Sequence, residues 1–284
     1  MFFYWLCSVL LACVEPKTDG FLPMECNGHA HLCSLPLNEV AFAATHNSMA
    51  NSQEEWIPPN QKYAIPQQLA DGIRGLNLDT YMWQEEAYLC HGFCELGAKP
   101  LADSLREIEQ FLEGNPHNVI VITFQASISA EDTLNAFAQA NLQNRLYHYE
   151  VGETWPTLEQ LISMNKQVVV FASNDGGRLD GYMAQWTHWL DNPYQAKYVE
   201  EFSCAPDRGD PQTATLYNVN HFISRPIALT DFAEEGNWNP ILHDHVFSCW
   251  AETGRFPNQV LVDFYSIGDV FSVVDALNDR AEEK

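Results

Sequence analysis

Two histidines, two aspartates and several side-chain amides stand where apolar runs of this chain stop or are broken. His46 closes the run "VAFAAT" and is followed by Asn47 and Ser48, and His91 follows Leu89-Cys90. Asn77 and Asp79 punctuate "GLNLDTY", Gln125 ends "VIVITFQ", and Asp263 interrupts "VLVDFY". Imidazole titrates nearest neutral pH, so a histidine pair suits a general base and a general acid. A carboxylate inside an apolar strand is costly unless it is paired or hydrogen-bonded. Each of these groups taken singly reads equally as a member of a structural network. Two histidines and two aspartates at such places on separate elements point to a site.

The elements that must position them follow from periodicity. Val40 to Ala44 carries no charge and no polar alternation, as in a strand buried on both faces. Similar runs recur at 75–81, 118–125, 167–173, 217–223 and 259–265. Between them, "PLADSLREIEQFLEGNP" has Leu101, Leu105, Ile108, Phe111 and Leu112 at helical spacing, with Pro100 before and Gly114 near the stop. "SAEDTLNAFAQANL", "TLEQLISM" and the closing "GDVFSVVDALNDR" repeat that pattern. Alternating strand and helix predicts an α/β fold with a parallel sheet, open or closed into a barrel. In a closed barrel the strand ends converge on one mouth. The pattern yields about six strand units, fewer than the eight of a complete barrel. No repeat or long linker divides residues 26–284, which read as one domain.

Composition narrows the partners. Fourteen Lys plus Arg stand against 38 Asp plus Glu, a formal charge of −24. Such a chain cannot replace phosphate counterions over a broad face, which excludes nucleic acid, and it is repelled by anionic bilayers. The eight Trp are dispersed and form no visible membrane-inserting cluster. Residues 1–13 are apolar almost throughout, too short to span a bilayer but suited to an export signal, with 14–25 as a short tether. Leu10-Leu11-Ala12-Cys13 resembles the lipobox of bacterial lipoproteins, so the expectation is an exported protein, either secreted or membrane-anchored through a lipidated Cys13. Beyond Cys7 and Cys13 six cysteines remain, an even number that predicts three disulfides in an exported chain. Proximity favours Cys26–Cys33 and Cys90–Cys94, and elimination leaves Cys204–Cys249. A metal site at Cys90, His91 and Cys94 is the competing reading; an oxidising compartment and the lack of a second close Cys/His pair count against it.

Taken in order, "CNGHAHLCSLPLNEVAFAATHNSMA", "GIRGLNLDTY", "LCHGFCELG" and "FPNQVLVDFYSIGD" resemble the phosphatidylinositol-specific phospholipase C superfamily, in particular its exported, disulfide-bearing phosphodiesterases. The resemblance implies a single distorted TIM-type (β/α) barrel. It matches His46 and His91 to the two catalytic histidines, base and acid of an in-line displacement at phosphorus. Asp263 matches the aspartate that orients the first. Asp79 falls where the superfamily carries either an arginine or a calcium ligand, which implies the calcium branch, with Asn47, Asn77 and Gln125 as further ligands. Asn77 and Gln125 replace carboxylates, and calcium affinity follows ligand charge, so Ca2+ binding is expected to be weak. Asn47 also replaces an aspartate that partners the general acid in arginine-type enzymes.

Three more residues enter as substrate contacts. Arg178 in "SNDGGRLD" is set to meet phosphate or hydroxyls, or to be an unengaged loop arginine; Arg74 reads as a contact or a structural ion pair; Tyr265 lines the pocket or packs beside it. The facing of His221 in "YNVNHFIS" stays open. The expected function is a monomeric phosphodiesterase acting on a phospholipid or other small phosphodiester, with membrane contact transient or through Cys13. The alternatives are a barrel that has lost turnover and binds a phosphorylated lipid or glycan, and a structural surface lipoprotein.

Overall fold

The computed structural model describes residues 24–279, so the apolar stretch 1–13, Cys13 and nearly all of the 14–25 tether lie outside the described residues. Among the described residues eleven strands occur: β1 (Phe42–Thr45), β2 (Gly75–Trp83), β3 (Glu86–Cys90), β4 (Ala98–Pro100), β5 (Ile120–Ala126), β6 (Leu146–Tyr147), β7 (Val168–Ala172), β8 (Met183–Ala184), β9 (Trp189–Asp191), β10 (Leu216–His221) and β11 (Gln259–Val262). Eight helices accompany them: α1 (Ile65–Asp71), α2 (Leu101–Gly114), α3 (Ala130–Gln139), α4 (Leu158–Ser163), α5 (Gln185–His188), α6 (Thr230–Gly236), α7 (Ile241–Thr253) and α8 (Val270–Asp279).

The main sheet runs β6-β7-β5-β2-β1-β11-β10-β9, with parallel pairing throughout that path. It curls into a half-barrel of TIM type, as the resemblance implied, and all six strand runs read from the sequence lie in it. Among the described residues no ladder joins its two ends. Between β8 and β9 the wall is the single turn of α5, so the curl stays open there.

Strand alternation sorts the side chains into two layers. Ile120, Ile122 and Phe124 of β5, and Val168 and Val170 of β7, face outward onto the helices. There α2 buries Leu101, Leu105, Ile108 and Leu112, the stripe expected from helical spacing. Phe42, Val121, Val169 and Leu216 face inward at the N-terminal end of the strands. That end is filled by Leu32, Leu37 and the Cys26–Cys33 disulfide. Further up, the inner layer becomes polar, with Asn77, Thr123, Gln125, Asn218, Asn220 and Gln259 lining a cavity. One glycine is required by the close approach of β1 and β2: a Cβ on Gly75 would stand 2.5 Å from that of Ala44.

The other two disulfides are Cys90–Cys94 and Cys204–Cys249. Since Cys90 and Cys94 are joined, they offer no thiolate for the competing metal reading at His91.

Candidate active site

His46 follows β1 directly, its backbone N–H donating to the Val262 carbonyl at 3.0 Å. Asn47 then turns the chain with φ 45°, a left-handed conformation that asparagine tolerates, and so ends the strand. Nδ1 of His46 lies 3.0 Å from Oδ1 of Asp263. The carboxylate accepts, so the ring proton sits on Nδ1 and Nε2 keeps its lone pair. Asn60 Nδ2 donates to the same Oδ1 at 2.8 Å, and Phe222 stacks on the imidazole with centroids 3.9 Å apart. Asp263 is the first residue beyond β11 rather than a member of it. Its successor Phe264 takes φ 45°, a costly conformation for a bulky residue, and its N–H is held by the Asn60 carbonyl at 2.8 Å.

His91 stands on the loop closed by Cys90–Cys94. Its Nδ1 is 3.4 Å from the Pro58 carbonyl, and its Nε2 is 3.2 Å from Nδ2 of Asn47. Asn47 thus links the two imidazoles: it is the chain neighbour of one and touches the other. Burial is the main cause that lowers the His91 pKa, and the nearby His46 adds to it.

Asn77 and Asp79 alternate on the inner face of β2, with Gln125 of β5 in register with Asp79. Asp79 is 4 % exposed, and its Oδ1 has no hydrogen-bond partner. Burial pushes its carboxyl up to about 7, opposed by the field of His46. Asn77 Oδ1 accepts the Asn47 N–H at 3.3 Å. An unpartnered buried carboxylate oxygen among three side-chain amides is an oxygen donor set, and so fits a hard cation such as Ca2+. The set carries at most one charge, and only after Asp79 loses its proton.

That arrangement has a measurable cost. The folded pKa of Asp79 lies above its ordinary 3.8, so the folded state binds the proton more tightly and stability falls as pH rises from about 4 to about 7. Asp79→Asn is expected to abolish this fall and to be more stable than the native chain at pH 8, with the two nearly equal at pH 4. Millimolar Ca2+ should raise the melting temperature of the native chain at pH 8 and leave Asp79→Asn unchanged. Melting curves across pH check both; a native chain as stable at pH 8 as at pH 4 would contradict the buried, unpartnered carboxyl.

The cavity beside His46 encloses about 710 Å³, its solvent-filled mouth included. None of the three substrate contacts expected from the sequence reaches it. Arg178 is exposed and paired with Asp175 and Glu131. Arg74 sits at the N-terminal end of β2, where it donates to Asn118 and to the Leu69 and Ile73 carbonyls. Tyr265 is buried, its hydroxyl 2.6 Å from Asp71. The arginine that does line the cavity is Arg208, from the segment between β9 and β10. Its guanidinium grips the buried Asp191 and lies between the rings of Trp186 and Tyr194, at 4.5 and 4.1 Å.

Asn218, Asn220 and Phe222 complete the wall, and strand alternation turns His221 between them away from it. His221 instead meets His245 of α7, Nδ1 to Nδ1 at 2.8 Å, where burial pulls the two down to about 3 and about 4. The period-2 polar residues of "YNVNHF" carried the signal for Asn218 and Asn220. Asn60, Arg208 and Asp191 have no local signature.

A family model described as PI-PLC X matches residues 32–278. A PI-PLC X domain-containing protein of Arabidopsis thaliana is 29 % identical over 273 residues, covering 86 % of this chain and 63 % of that protein. The chain therefore spans less than two thirds of the plant relative's length. A PI-PLC X domain-containing protein 1 of the fungus Arthroderma benhamiae is 27 % identical, with 97 % of each chain covered. An uncharacterized secreted protein of the same fungus is 25 % identical over 93 % of this chain and 66 % of its own. Among solved structures, a phosphatidylinositol-specific phospholipase C of Staphylococcus aureus superposes with a TM-score of 0.59 at 15 % identity, covering 87 % of this chain and 94 % of that one. That last likeness is one of fold.

Proposed function

This chain belongs to the PI-PLC X family, and from that premise we propose that it is an exported phosphodiesterase that cleaves a phospholipid or related phosphodiester with two histidines. The observation that carries the reading is the His46–Asp263 pair at 3.0 Å, with Asn47 joining it to His91. His46, proton on Nδ1 and lone pair on Nε2, takes the proton of the attacking hydroxyl as that oxygen bonds to phosphorus. Asp263 stabilises the imidazolium that results, and Asn60 keeps the carboxylate in place. His91 gives a proton to the leaving oxygen as the bond from phosphorus to that oxygen breaks. Burial disfavours its charged form before substrate arrives. The phosphodiester anion favours that form.

Asp79, Asn47, Asn77 and Gln125 would hold a calcium ion. Bound there, it would supply positive charge against the phosphoryl oxygens. Arg208 with Asp191, the amides of Asn218 and Asn220, and the rings of Trp186 and Tyr194 suit a hydroxylated, ring-shaped head group. The phosphatidylinositol-specific name of the staphylococcal neighbour agrees with that chemistry. Export is supported by three disulfides and by the secreted fungal relative. Among the described residues no helix is long and apolar enough to cross a membrane.

A second reading has one observation behind it. Amides stand where the resemblance implies carboxylates, and Asn47 leaves His91 without an acidic partner. On this reading the barrel binds a phosphorylated lipid or glycan without turning it over. A phosphorus-NMR time course on phosphatidylinositol, with calcium and with chelator, separates the two. Phosphodiesterase activity gives a cyclic inositol phosphate by intramolecular attack, faster with calcium. Inertness towards this and other diesters, with line broadening on binding, supports the second reading.

A further inference from the structure

Away from the cavity, a second group of chemically capable side chains gathers around α7. His245 and Cys249 lie four residues apart on that helix and therefore on one face. Cys204, on the segment between β9 and β10, joins them through its disulfide to Cys249. One ligand atom from each of the three lies within 4.8 Å of the others, and all three residues are buried. The imidazole is already oriented. His221 Nε2 is 2.9 Å from the Gly236 carbonyl and must carry its proton there, which leaves its Nδ1 an acceptor. His245 then donates from Nδ1 across the 2.8 Å contact, and its Nε2 faces the Asn192 amide at 3.5 Å, with the Ser203 backbone also within hydrogen-bonding reach of the ring and to be displaced by a cation. Metal-bound histidines are held in this way, the far ring N–H fixed by an acceptor behind them. A surface cleft lined by Phe202, Ser203, Cys204, Asp244, His245 and Glu252 reaches the group, and its two carboxylates favour a cation on the way in.

We propose that Cys204, Cys249 and His245 bind a thiophilic divalent cation of the Zn2+ class whenever the Cys204–Cys249 bond is open. Cation and disulfide are then alternative staples between α7 and the segment that carries Arg208. In the oxidised chain the sulfurs are spent on each other and offer no thiolate. In the reduced chain, before the disulfide forms or after a reductant opens it, two thiolates and an imidazole supply three ligands. The cleft admits water as the fourth, and two thiol protons leave. The wall of the cavity keeps its anchor in either redox state. The site is independent of the proposed reaction.

The test uses the full chain, a trialkylphosphine as reductant and Co2+ as the probe. The phosphine takes oxygen from water and becomes the phosphine oxide, while the disulfide gains two electrons and the two protons and becomes two thiols. The reduced chain should then bind Co2+ with the intense ligand-field and sulfur-to-cobalt bands of tetrahedral thiolate coordination, absent from the oxidised chain. Cys204→Ser and His245→Gln should each lose one equivalent. His221→Leu, which removes the acceptor behind His245, should weaken that equivalent about 10–100-fold. His245→Gln retains the disulfide, so its fold is verified by circular dichroism before reduction. Two results overturn the site: a reduced native chain that takes up no Co2+, or equal uptake by native, Cys204→Ser and His245→Gln chains.

Discussion

His46→Ala is expected to slow phosphodiester cleavage by about 10²–10⁴-fold, the range a positioned acid–base group contributes. Folding should survive, because the imidazole lies at the cavity edge and the ring of Phe222 closes over the space it leaves. Asp263→Asn should also slow turnover, for two reasons visible in the contacts. An amide at that place can donate where the carboxylate must accept, which moves the His46 proton to Nε2, and it withdraws the charge that stabilises the imidazolium. Asn60→Ala acts more mildly, since Asp263 keeps its pairing but loses the 2.8 Å contact that fixes its oxygen. Steady-state rates on a phosphodiester substrate check the order His46, then Asp263, then Asn60; an Asp263→Asn chain as fast as the native one would remove the carboxylate from the mechanism.

Arg208→Ala should produce the largest loss of stability of any single change at the cavity. Asp191 is buried, and burial raises its pKa against the pull of Arg208 and Asn220. It accepts the Arg208 backbone N–H at 3.1 Å, three contacts from the guanidinium, and Asn220 Nδ2 at 3.2 Å. Removing the guanidinium leaves a buried carboxylate with amide partners alone. Breaking a buried pair costs 3–5 kcal/mol, and the partly exposed arginine puts this one at about 3 kcal/mol. The sign with pH follows. Without Arg208 the folded carboxyl rises further above its unfolded value, so the loss grows as pH rises above about 4 and shrinks in acid. Asp191→Asn in the same chain should recover part of the stability. Urea unfolding at pH 5 and pH 8 measures each term; a loss below about 0.5 kcal/mol at pH 8 would class the pair with exposed salt bridges.

How much of this was legible in the sequence depended on what local pattern can encode. Three of the six strands announce themselves by four or more apolar residues in a row, at 40–44, 119–122 and 168–172, while Asn77 and Asp79, Asn218 and Asn220, and Asp263 break the apolar runs of the other three. β9 is three residues long, shorter than any window that periodicity can use, and it was missed along with the open wall beside it. The histidines, Asp79 and Asp263 stand out in the sequence because a polar group at the end of an apolar run is a local anomaly. Arg208 is no anomaly in a polar loop. Its meaning comes from Asp191, 17 residues earlier, and from two rings that only the fold brings around it. Arg178 and Arg74 looked equivalent to it in sequence, and each is engaged elsewhere by nearer partners. For His221 the decisive fact was strand parity, which puts it on the opposite face from Asn218 and Asn220.

The division of labour between the histidines is tested most directly by the leaving group. A diester whose leaving group is a nitrophenolate departs without a proton, so it has no need of a general acid, while attack still requires a base. On this substrate His91→Ala is expected to recover most of the native rate and His46→Ala to stay impaired by the factor seen with an alkyl leaving group. Equal recovery of the two variants would contradict the assignment of base and acid, and near-native rates for both on the alkyl substrate would remove the pair from the reaction.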